Sequence, residues 1–600
     1  MANERKTEHI VRTHFISYAE EIIIEEQASD NPKINKLLKT ASKKGSGAGR
    51  PEFIITLNNN PDLIIVIECK ADNLKHQSAN KDEYSEYAVD GALLYSSYLS
   101  KDFDVLSIAV SGETTEKLRV THFLQLKNEK SAVEIFGNSL LPISNYLDGY
   151  IKSPQKYRQD YKTLLTFSKK LNDDLHTNKV PEKDRALLLS CILIALENNA
   201  FKKSYSEHNT PKDLADALVQ TVYSELKSAL ISGEKLENLR LQFAFIQTDT
   251  SLSTGIDVLK KLIDEIEVNI NQFIKTHEYV DVLGQLYIEF LRYANSDKGL
   301  GIVLTPPHIT ELFSDLAQVN KNSIVYDNCV GTGGYLISAM KKMLEDAKGD
   351  QAVIKRIKSS QLIGVEYQAH IYALAISNMY IHQDGKTTIM NGSCFDKKIM
   401  ENVKKLKPSV GFLNPPYKSK KKTDTEELEF VLNNLSVLDY GGTCVAIVPM
   451  QCGLAQKGKV LELKKELLNK HTLEAVLSMP NELFVNSKVG VVSIIMVFTA
   501  HKPHHITKET YFGYYKDDGF TKRKVQGRYD AFGYWDEIRH KWIKNFLNRK
   551  SEVGFSINQK VNAEDEWCAE AYMETDYSQV TSSLFIEEIK KYVAYKVMSA

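Results

Sequence analysis

The 600-residue chain carries 76 Lys and Arg against 77 Asp and Glu, and 43% of its residues are hydrophobic. This composition excludes a disordered or fibrous protein and leaves room for several domains with sizeable cores. Because the charges nearly cancel, attraction to a polyanion such as DNA has to come from local patches. Seven cysteines without a Cys-x-x-Cys pair argue against a disulfide framework or a zinc ribbon and for a reducing compartment. The start, Met1-Ala2-Asn3-Glu4-Arg5, lacks the apolar core of a signal peptide. The longest apolar run, residues 186–196, is too short to cross a bilayer and is interrupted by Ser190. The expectation is a cytoplasmic protein with no membrane association.

Residues 8–28 have helical periodicity. The basic residues Lys33, Lys36, Lys39, Lys43, Lys44 and Arg50 follow, the last three around Gly45-Ser46-Gly47-Ala48-Gly49. Such a stretch lets backbone approach an anion closely, which suits a DNA phosphate; a solvated loop is the plainer alternative. Two apolar runs, Pro51-Glu52-Phe53-Ile54-Ile55 and Leu63-Ile64-Ile65-Val66-Ile67-Glu68-Cys69-Lys70, flank a turn at Asn58-Asn59-Asn60-Pro61-Asp62 and predict a hairpin. Alternation places Glu68 and Lys70 on one face, and burying that face demands a partner or a metal. With Glu52 across the hairpin, two carboxylates could hold Mg²⁺ while Lys70 positions a water for attack on phosphorus.

This cluster resembles the PD-(D/E)xK nucleases, and more closely the Pro-Glu … Glu-Cys-Lys variant at the front of fused restriction-modification enzymes of types IIG and IIB. The resemblance implies Glu52, Glu68 and Lys70 as cleavage residues, with Glu52 and Glu68 on the metal. In that group an upstream helix often adds a glutamate before a glutamine, which matches Glu26-Gln27, with Glu25 as the alternative. Tyr87-Ala88-Val89-Asp90-Gly91 and Tyr95 resemble the helix packed behind the family's site. A PD-(D/E)xK-like endonuclease domain is therefore expected over residues 1–139.

From 140 to 280 apolar residues recur at three and four, as in Leu187-Leu188-Cys191-Ile192-Ala195, the mark of packed amphipathic helices. Nothing catalytic stands out there, and the expectation is a helical connector. It resembles the helical region that precedes the catalytic core in type I modification subunits.

A third domain is expected over 281–505. In Gly301-Ile302-Val303-Leu304-Thr305-Pro306-Pro307, Thr305 could cap a helix whose first position is Pro306. Ser323-Ile324-Val325-Tyr326 then runs into Asp327-Asn328-Cys329-Val330-Gly331-Thr332-Gly333-Gly334, a strand, glycine turn and helix that admit a cofactor against bare backbone. Asp327 could reach an ammonium group, which fits the methionine part of S-adenosylmethionine. The next strand ends at Glu366, placed to grip ribose hydroxyls, though well beyond the roughly 20-residue spacing of the dinucleotide fingerprint. A further strand reaches Asn391-Gly392-Ser393-Cys394-Phe395, and Val410-Gly411-Phe412-Leu413 closes on Asn414-Pro415-Pro416-Tyr417.

A side-chain amide, a carbonyl that cannot twist away and a flat ring suit one task. The Asn414 amide oxygen and the Pro415 carbonyl could accept hydrogen bonds from an exocyclic amine, while Tyr417 stacks on a base turned out of the duplex. The tetrapeptide resembles that of the DNA amino-methyltransferases, in their adenine-N6 branch. The order of segments resembles the gamma group and, in detail, type I and type IIB modification proteins. The resemblance implies catalytic roles for Asn414, Pro415, Pro416 and Tyr417. It implies cofactor contacts from Thr305, Pro306, Asp327, Gly331, Gly333, Gly334, Glu366 and Asn414, with Phe484 on the far face of the base. Ser393 stands where relatives usually carry aspartate.

Residues 506–600 look too short to read a DNA site. They resemble the end of modification subunits that dock on a separate specificity subunit, through the amphipathic stretch Phe585-Ile586-Ile589-Tyr592-Val593-Tyr595. The expected fold class is α/β and multidomain: a nuclease domain, a helical connector, and a doubly wound Rossmann-like methyltransferase with a C-terminal extension. The expected function is a bifunctional restriction-modification protein using S-adenosylmethionine and Mg²⁺ on double-stranded DNA. Its partner would be the specificity subunit, in a hetero-oligomer with more than one copy of this chain. The alternatives are a methyltransferase with an inert nuclease-like front, or a DNA-binding scaffold without catalysis.

Overall fold

The computed structural model describes residues 3–43, 47–229, 231, 233–252, 255–277, 279–292, 303–382, 388–418, 424–485, 490–523, 527–577 and 580–599. Lys44, Gly45 and Ser46, Gly301 and Ile302, and Lys420, Lys421 and Lys422 lie outside them. The chain divides into two compact units, residues 1–160 and 161–600.

The first unit is built on a six-stranded sheet in sequence order: β1 (Ile22–Glu25), β2 (Phe53–Leu57), β3 (Asn60–Lys70), β4 (Asp104–Ser111), β5 (Arg119–Gln125) and β6 (Val133–Ile135). Strands β3 and β4 are parallel. A parallel pair needs a crossover, which the helix Ala88–Leu99 supplies. Strand β3 is buried on both faces: Ile65, Ile67 and Cys69 pack with Val11 and Phe15, while Ile64 and Val66 pack with Tyr95 and Leu99. Glu68 therefore lies on the face covered by Ala88–Leu99. The helical periodicity of 8–28 is only partly realised. The helix is Glu4–Ile16, and the β-branched run Ile22-Ile23-Ile24 enters the sheet as β1, antiparallel to β2.

The second unit carries β7 (Val325–Asp327), β8 (Leu362–Glu366), β9 (Thr388–Asn391), β10 (Val410–Leu413), β11 (Thr443–Pro449), β12 (Thr472–Ser478), β13 (Ser493–Thr499) and β14 (Glu509–Tyr514). A short ribbon, β15 (Thr521–Arg523) with β16 (Gly527–Tyr529), and the edge strand β17 (Ser556–Lys560) follow. The large sheet runs β17-β14-β12-β13-β11-β10-β7-β8-β9. Strands β11, β10, β7, β8 and β9 are parallel, and β13 is antiparallel to β11 and β12. The chain order reverses between β7 and β10, the crevice where open α/β sheets take their ligands. This is the doubly wound, Rossmann-like sheet that the segment order predicts.

Helices from 161 to 292 belong to the same unit. The helix Glu182–Leu196 is buried all round from Arg185 to Leu196 and is covered accordingly, partly by Ala369–Ile381. The helix Ser582–Ser599 exposes Phe585, Ile586, Ile589, Tyr592, Val593 and Tyr595. Among the described residues no helix is long and apolar enough to cross a membrane.

Candidate functional site

A cavity of about 410 Å³ opens at the carboxyl ends of β7, β8, β9 and β10. The loop after β7 turns through Gly331 and Gly333, at φ +54° and +93°, a left-handed conformation that only glycine takes without strain. The helix Gly334–Ala347 starts there. Asp327 closes β7 with one carboxylate oxygen accepting from the Cys329 N–H at 2.9 Å. Its other oxygen, Oδ2, is buried and meets no donor. Burial pushes this carboxyl up to about 8, Glu366 adds to the rise, and the Cys329 N–H opposes it. Glu366 accepts from Gly331 N at 3.1 Å and Gln368 N at 2.8 Å, which fixes its carboxylate at the mouth of the glycine loop. Ser393, Cys394 and Phe395 form the wall beyond β9.

Asn414 sits just past β10. Its Nδ2 donates to the Val303 carbonyl at 2.8 Å and to Thr305 Oγ1 at 3.0 Å. A carbonyl can only accept, so the amide nitrogen must be the atom facing Val303. That leaves Oδ1 buried with no donor. Pro415 and Pro416 line the same cavity, as do Thr305, Gly334 and the loop that follows Asp327. Thr305 does not cap a helix as the sequence suggests. The helix is Pro307–Leu316, its cap position is Pro306, which offers no side-chain hydrogen bond, and the Thr305 hydroxyl is spent on Asn414 and Tyr335 instead.

Tyr417 has a buried hydroxyl without a partner. Phe484 packs edge to face on its ring, centroids 6.0 Å apart at 86°. The two rings are thus in direct contact, edge to face, and Phe484 is buried. Lys418 N donates to Glu427 Oε1 at 2.7 Å, so this buried glutamate pins the exit of the diproline corner.

In the first unit Glu68 is fully buried. Its Oε1 receives Lys70 Nζ at 2.9 Å and also Lys43 Nζ, while Oε2 meets no donor. Glu52 accepts from Cys69 N at 3.3 Å and lies 3.7 Å from Lys43 Nζ. Burial, then the Glu68 charge, pushes the Glu52 carboxyl well above the ordinary carboxylate range. Lys70 is shared with Glu4 at 2.8 Å, and Glu68 with Glu4 outweighs burial to hold it charged. Gly91 packs tightly behind the pair: a Cβ there would sit 3.0 Å from the Glu68 carboxyl carbon and from the Tyr84 carbonyl. Tyr95 accepts from Arg50 N at 3.3 Å. Glu26 is not on a helix and does not join this cluster. It follows β1 and pairs with Arg12 at the surface, while Glu25 holds Ser29 and Asp30. The acid that the first helix brings to Lys70 is Glu4. Among the described residues no group of three or more His, Cys, Asp or Glu gathers as a metal centre, so an ion at Glu52 and Glu68 would complete its shell with water and phosphate oxygens, as Mg²⁺ does.

Residues 278–596 match the family of N-6 DNA methylases. The chain belongs to that family. This methylase is 30% identical over 564 residues to the type II restriction enzyme and methyltransferase RM.BcgI of Heyndrickxia coagulans, covering 88% of this chain and 86% of that relative. It is 24% identical over 418 residues to the type I restriction enzyme MpnII methylase subunit of Mycoplasma pneumoniae, covering 61% of this chain and 73% of the relative. It is 26% identical over 242 residues to the type I restriction enzyme EcoKI methylase subunit of Escherichia coli, covering 36% and 44%. The methylase is an adenine-N6 methyltransferase of a restriction-modification system.

Several residues that shape the methylase pocket carry no motif. Asp281 accepts from Gly284 N at 2.7 Å, Asn378 Nδ2 at 2.7 Å and Thr332 Oγ1 at 2.9 Å, tying the glycine loop to two helices. Asn328, Asn433 and Asn434 form a buried amide ladder: Asn328 donates to Asn433 at 2.9 Å, Asn434 to Asn328 at 3.1 Å, and Asn433 to the Cys394 carbonyl at 2.9 Å. The sequence signal is a pair of asparagines, Asn433 and Asn434, set between the apolar Phe430-Val431-Leu432 and Leu435 in the helix Glu427–Val437.

Proposed function

We propose that the methylase is a bifunctional restriction-modification subunit, methylating adenine N6 at the cavity beside Asn414 and cutting DNA with Mg²⁺ at Glu52, Glu68 and Lys70. Sequence choice comes from a partner that docks on the helix Ser582–Ser599. The observation that carries the methylation site is Asn414 Oδ1, buried without a donor and aimed by two bonds to its own nitrogen.

Asp327 Oδ2 suits an ammonium and Glu366 a pair of ribose hydroxyls, so the residues present fit S-adenosylmethionine. The bound cofactor supplies an electrophilic methyl group. Asn414 Oδ1 and the Pro415 carbonyl accept the two N6 hydrogens of an everted adenine and draw its nitrogen lone pair out of conjugation with the ring. Tyr417 holds the base by its face. In the first unit, Glu68 Oε2, which meets no donor, and the neighbouring Glu52 carboxyl would hold the cation. Bound Mg²⁺ supplies positive charge to phosphate and water. Lys70 Nζ orients the attacking water.

The test scores methyl incorporation from tritiated S-adenosylmethionine and Mg²⁺-dependent cleavage on the same duplex, with the specificity partner present. Asn414→Ala should lose methylation and keep cleavage, unless cutting needs the bound cofactor, and Glu68→Gln should do the reverse. Loss of both activities from Glu68→Gln at an unchanged melting temperature would overturn the two-site assignment. Methylation without any cleavage by the unaltered protein would leave a methyltransferase with an inert front.

A further inference from the structure

Lys43 is not among the residues assigned to cleavage, yet its ammonium sits against both carboxylates that would hold the metal. It pairs with Glu68 Oε1, lies 3.7 Å from Glu52 Oε1 and stands 5.4 Å over the Tyr95 ring. Its side chain is only 17% exposed. The Lys43 carbonyl accepts from Ser85 Oγ at 3.2 Å, and Gly49 N donates to the Leu38 carbonyl at 2.7 Å. Gly49 has no room for a side chain, since a Cβ would meet the Ala41 carbonyl at 2.6 Å.

Three carboxylates, Glu4, Glu52 and Glu68, face two ammonium groups, Lys43 and Lys70, so the ionised cluster carries a single net negative charge. A divalent cation added to it would leave an excess of positive charge in a buried place, which is expensive, so a lysine has to leave as the metal enters. Lys70 is held by a third carboxylate, Glu4 at 2.8 Å, and by the Cys69 carbonyl at 3.1 Å. Among the described residues, Lys43 has the Glu52–Glu68 pair and the face of Tyr95. It is also the residue that opens the basic glycine-rich stretch running to Arg50.

We propose that Lys43 is the resident cation of the Glu52–Glu68 pair, that Mg²⁺ displaces it, and that the freed ammonium then engages a phosphate of the bound DNA. Lys43 is thus a positioning residue that keeps the carboxylates together before the metal arrives and moves to the substrate afterwards. This inference rests on the nuclease assignment above and goes beyond it.

The experiment uses the full chain, unaltered and as Lys43→Met, Lys43→Arg and Glu68→Gln, with Mn²⁺ as the calorimetric probe. Lys43→Met should bind Mn²⁺ about tenfold more tightly or better, because no cation has to be expelled. It should melt below the unaltered protein in chelator and gain more from Mn²⁺, whereas Lys43→Arg behaves as unaltered. With Ca²⁺ in place of Mg²⁺, its affinity for duplex DNA should fall several-fold and depend less on salt. Equal or weaker Mn²⁺ binding by Lys43→Met, with Glu68→Gln abolishing binding, would overturn the role of Lys43 and leave the nuclease assignment standing. If the unaltered protein and Glu68→Gln take up no Mn²⁺ alike, the nuclease assignment fails, and the inference with it.

Discussion

The Thr305 hydroxyl accepts a 3.0 Å hydrogen bond from the Asn414 side-chain nitrogen, and lies 3.3 Å from the Tyr335 hydroxyl. The bond joins segments 109 residues apart. Together with the Val303 carbonyl it settles which end of the Asn414 amide faces the cavity, and so which atom is free to accept from a substrate amine.

Thr305→Val should therefore slow methyl transfer without removing any group that touches the base. Losing one orienting bond of about 1 to 1.5 kcal/mol predicts a roughly tenfold lower single-turnover rate, and Thr305→Ser should restore most of it. Single-turnover methylation at saturating DNA checks this. A rate unchanged in Thr305→Val would show that the carbonyl alone orients the amide.

The parts of the fold that follow from local pattern were legible in the sequence. The strand ends at Asp327, Glu366 and Asn414 each combine a short apolar run with an abrupt polar residue; Glu366 and Asn414 line one cavity, and the loop that follows the buried Asp327 lines it too. The positions that failed depend on tertiary competition. Helical spacing in 8–28 breaks after Ile16, because Ile22-Ile23-Ile24 can pair with β2 at the sheet edge, and Glu26 goes with them to the surface. Thr305 has the chemistry of a helix cap, but Asn414, far along the chain, takes its hydroxyl. Lys43 and Asp281 were illegible as site residues because single charged residues acquire meaning only from the groups folded around them.

Asp281→Asn tests the clamp on the glycine loop. The carboxylate accepts from three donors, and an amide could keep the Gly284 and Asn378 bonds on its oxygen only by donating to the Thr332 hydroxyl, whose proton then loses its acceptor. The expected outcome is a ten- to hundredfold loss of S-adenosylmethionine affinity, on the order of 1 to 3 kcal/mol, by calorimetry. Unchanged affinity would remove Asp281 from the pocket's support.

Tyr417 separates ring from hydroxyl. The hydroxyl is buried without a partner, so Tyr417→Phe should stay within about threefold of the unaltered methylation rate, removing a desolvation cost and no bond. Tyr417→Ala removes the stacking face and should lower kcat/KM on duplex DNA by about a hundredfold, less on DNA whose target adenine is mismatched. Equal losses in both variants would assign the work to the hydroxyl instead.

Two histidines of the first unit set an acid limit. His76 lies between Ser111 Oγ and Thr121 Oγ1, both at 2.8 Å, and His122 between the Gly137 carbonyl at 3.0 Å and Tyr146 OH at 2.9 Å. Burial pushes both down to about 4 from an ordinary value of 6.5. A histidine depressed in the folded state stabilises it fully above pH 6.5, and that contribution drains away as the pH falls toward 4. Glu52 and Asp327, raised by burial, act in the opposite sense on acidification, so the difference between variants is the clean measure. His122→Gln should melt lower at about pH 7 yet lose less between there and about pH 4.5 than the unaltered chain. Parallel melting curves would contradict a buried neutral imidazole.

The helix Ser582–Ser599 leaves Ile586, Ile589, Tyr592 and Val593 in solvent, too much apolar surface for an element with no partner. If it docks on the specificity subunit, Ile589→Glu with Val593→Glu should leave the melting temperature of the isolated chain unchanged, because neither side chain contributes to a core. The same pair should abolish co-purification with the specificity subunit and, with it, methylation of the cognate site. Residual transfer to non-cognate DNA should persist, since the cavity beside Asn414 is untouched. Normal complex formation by the double variant would move the docking surface elsewhere on residues 161–600.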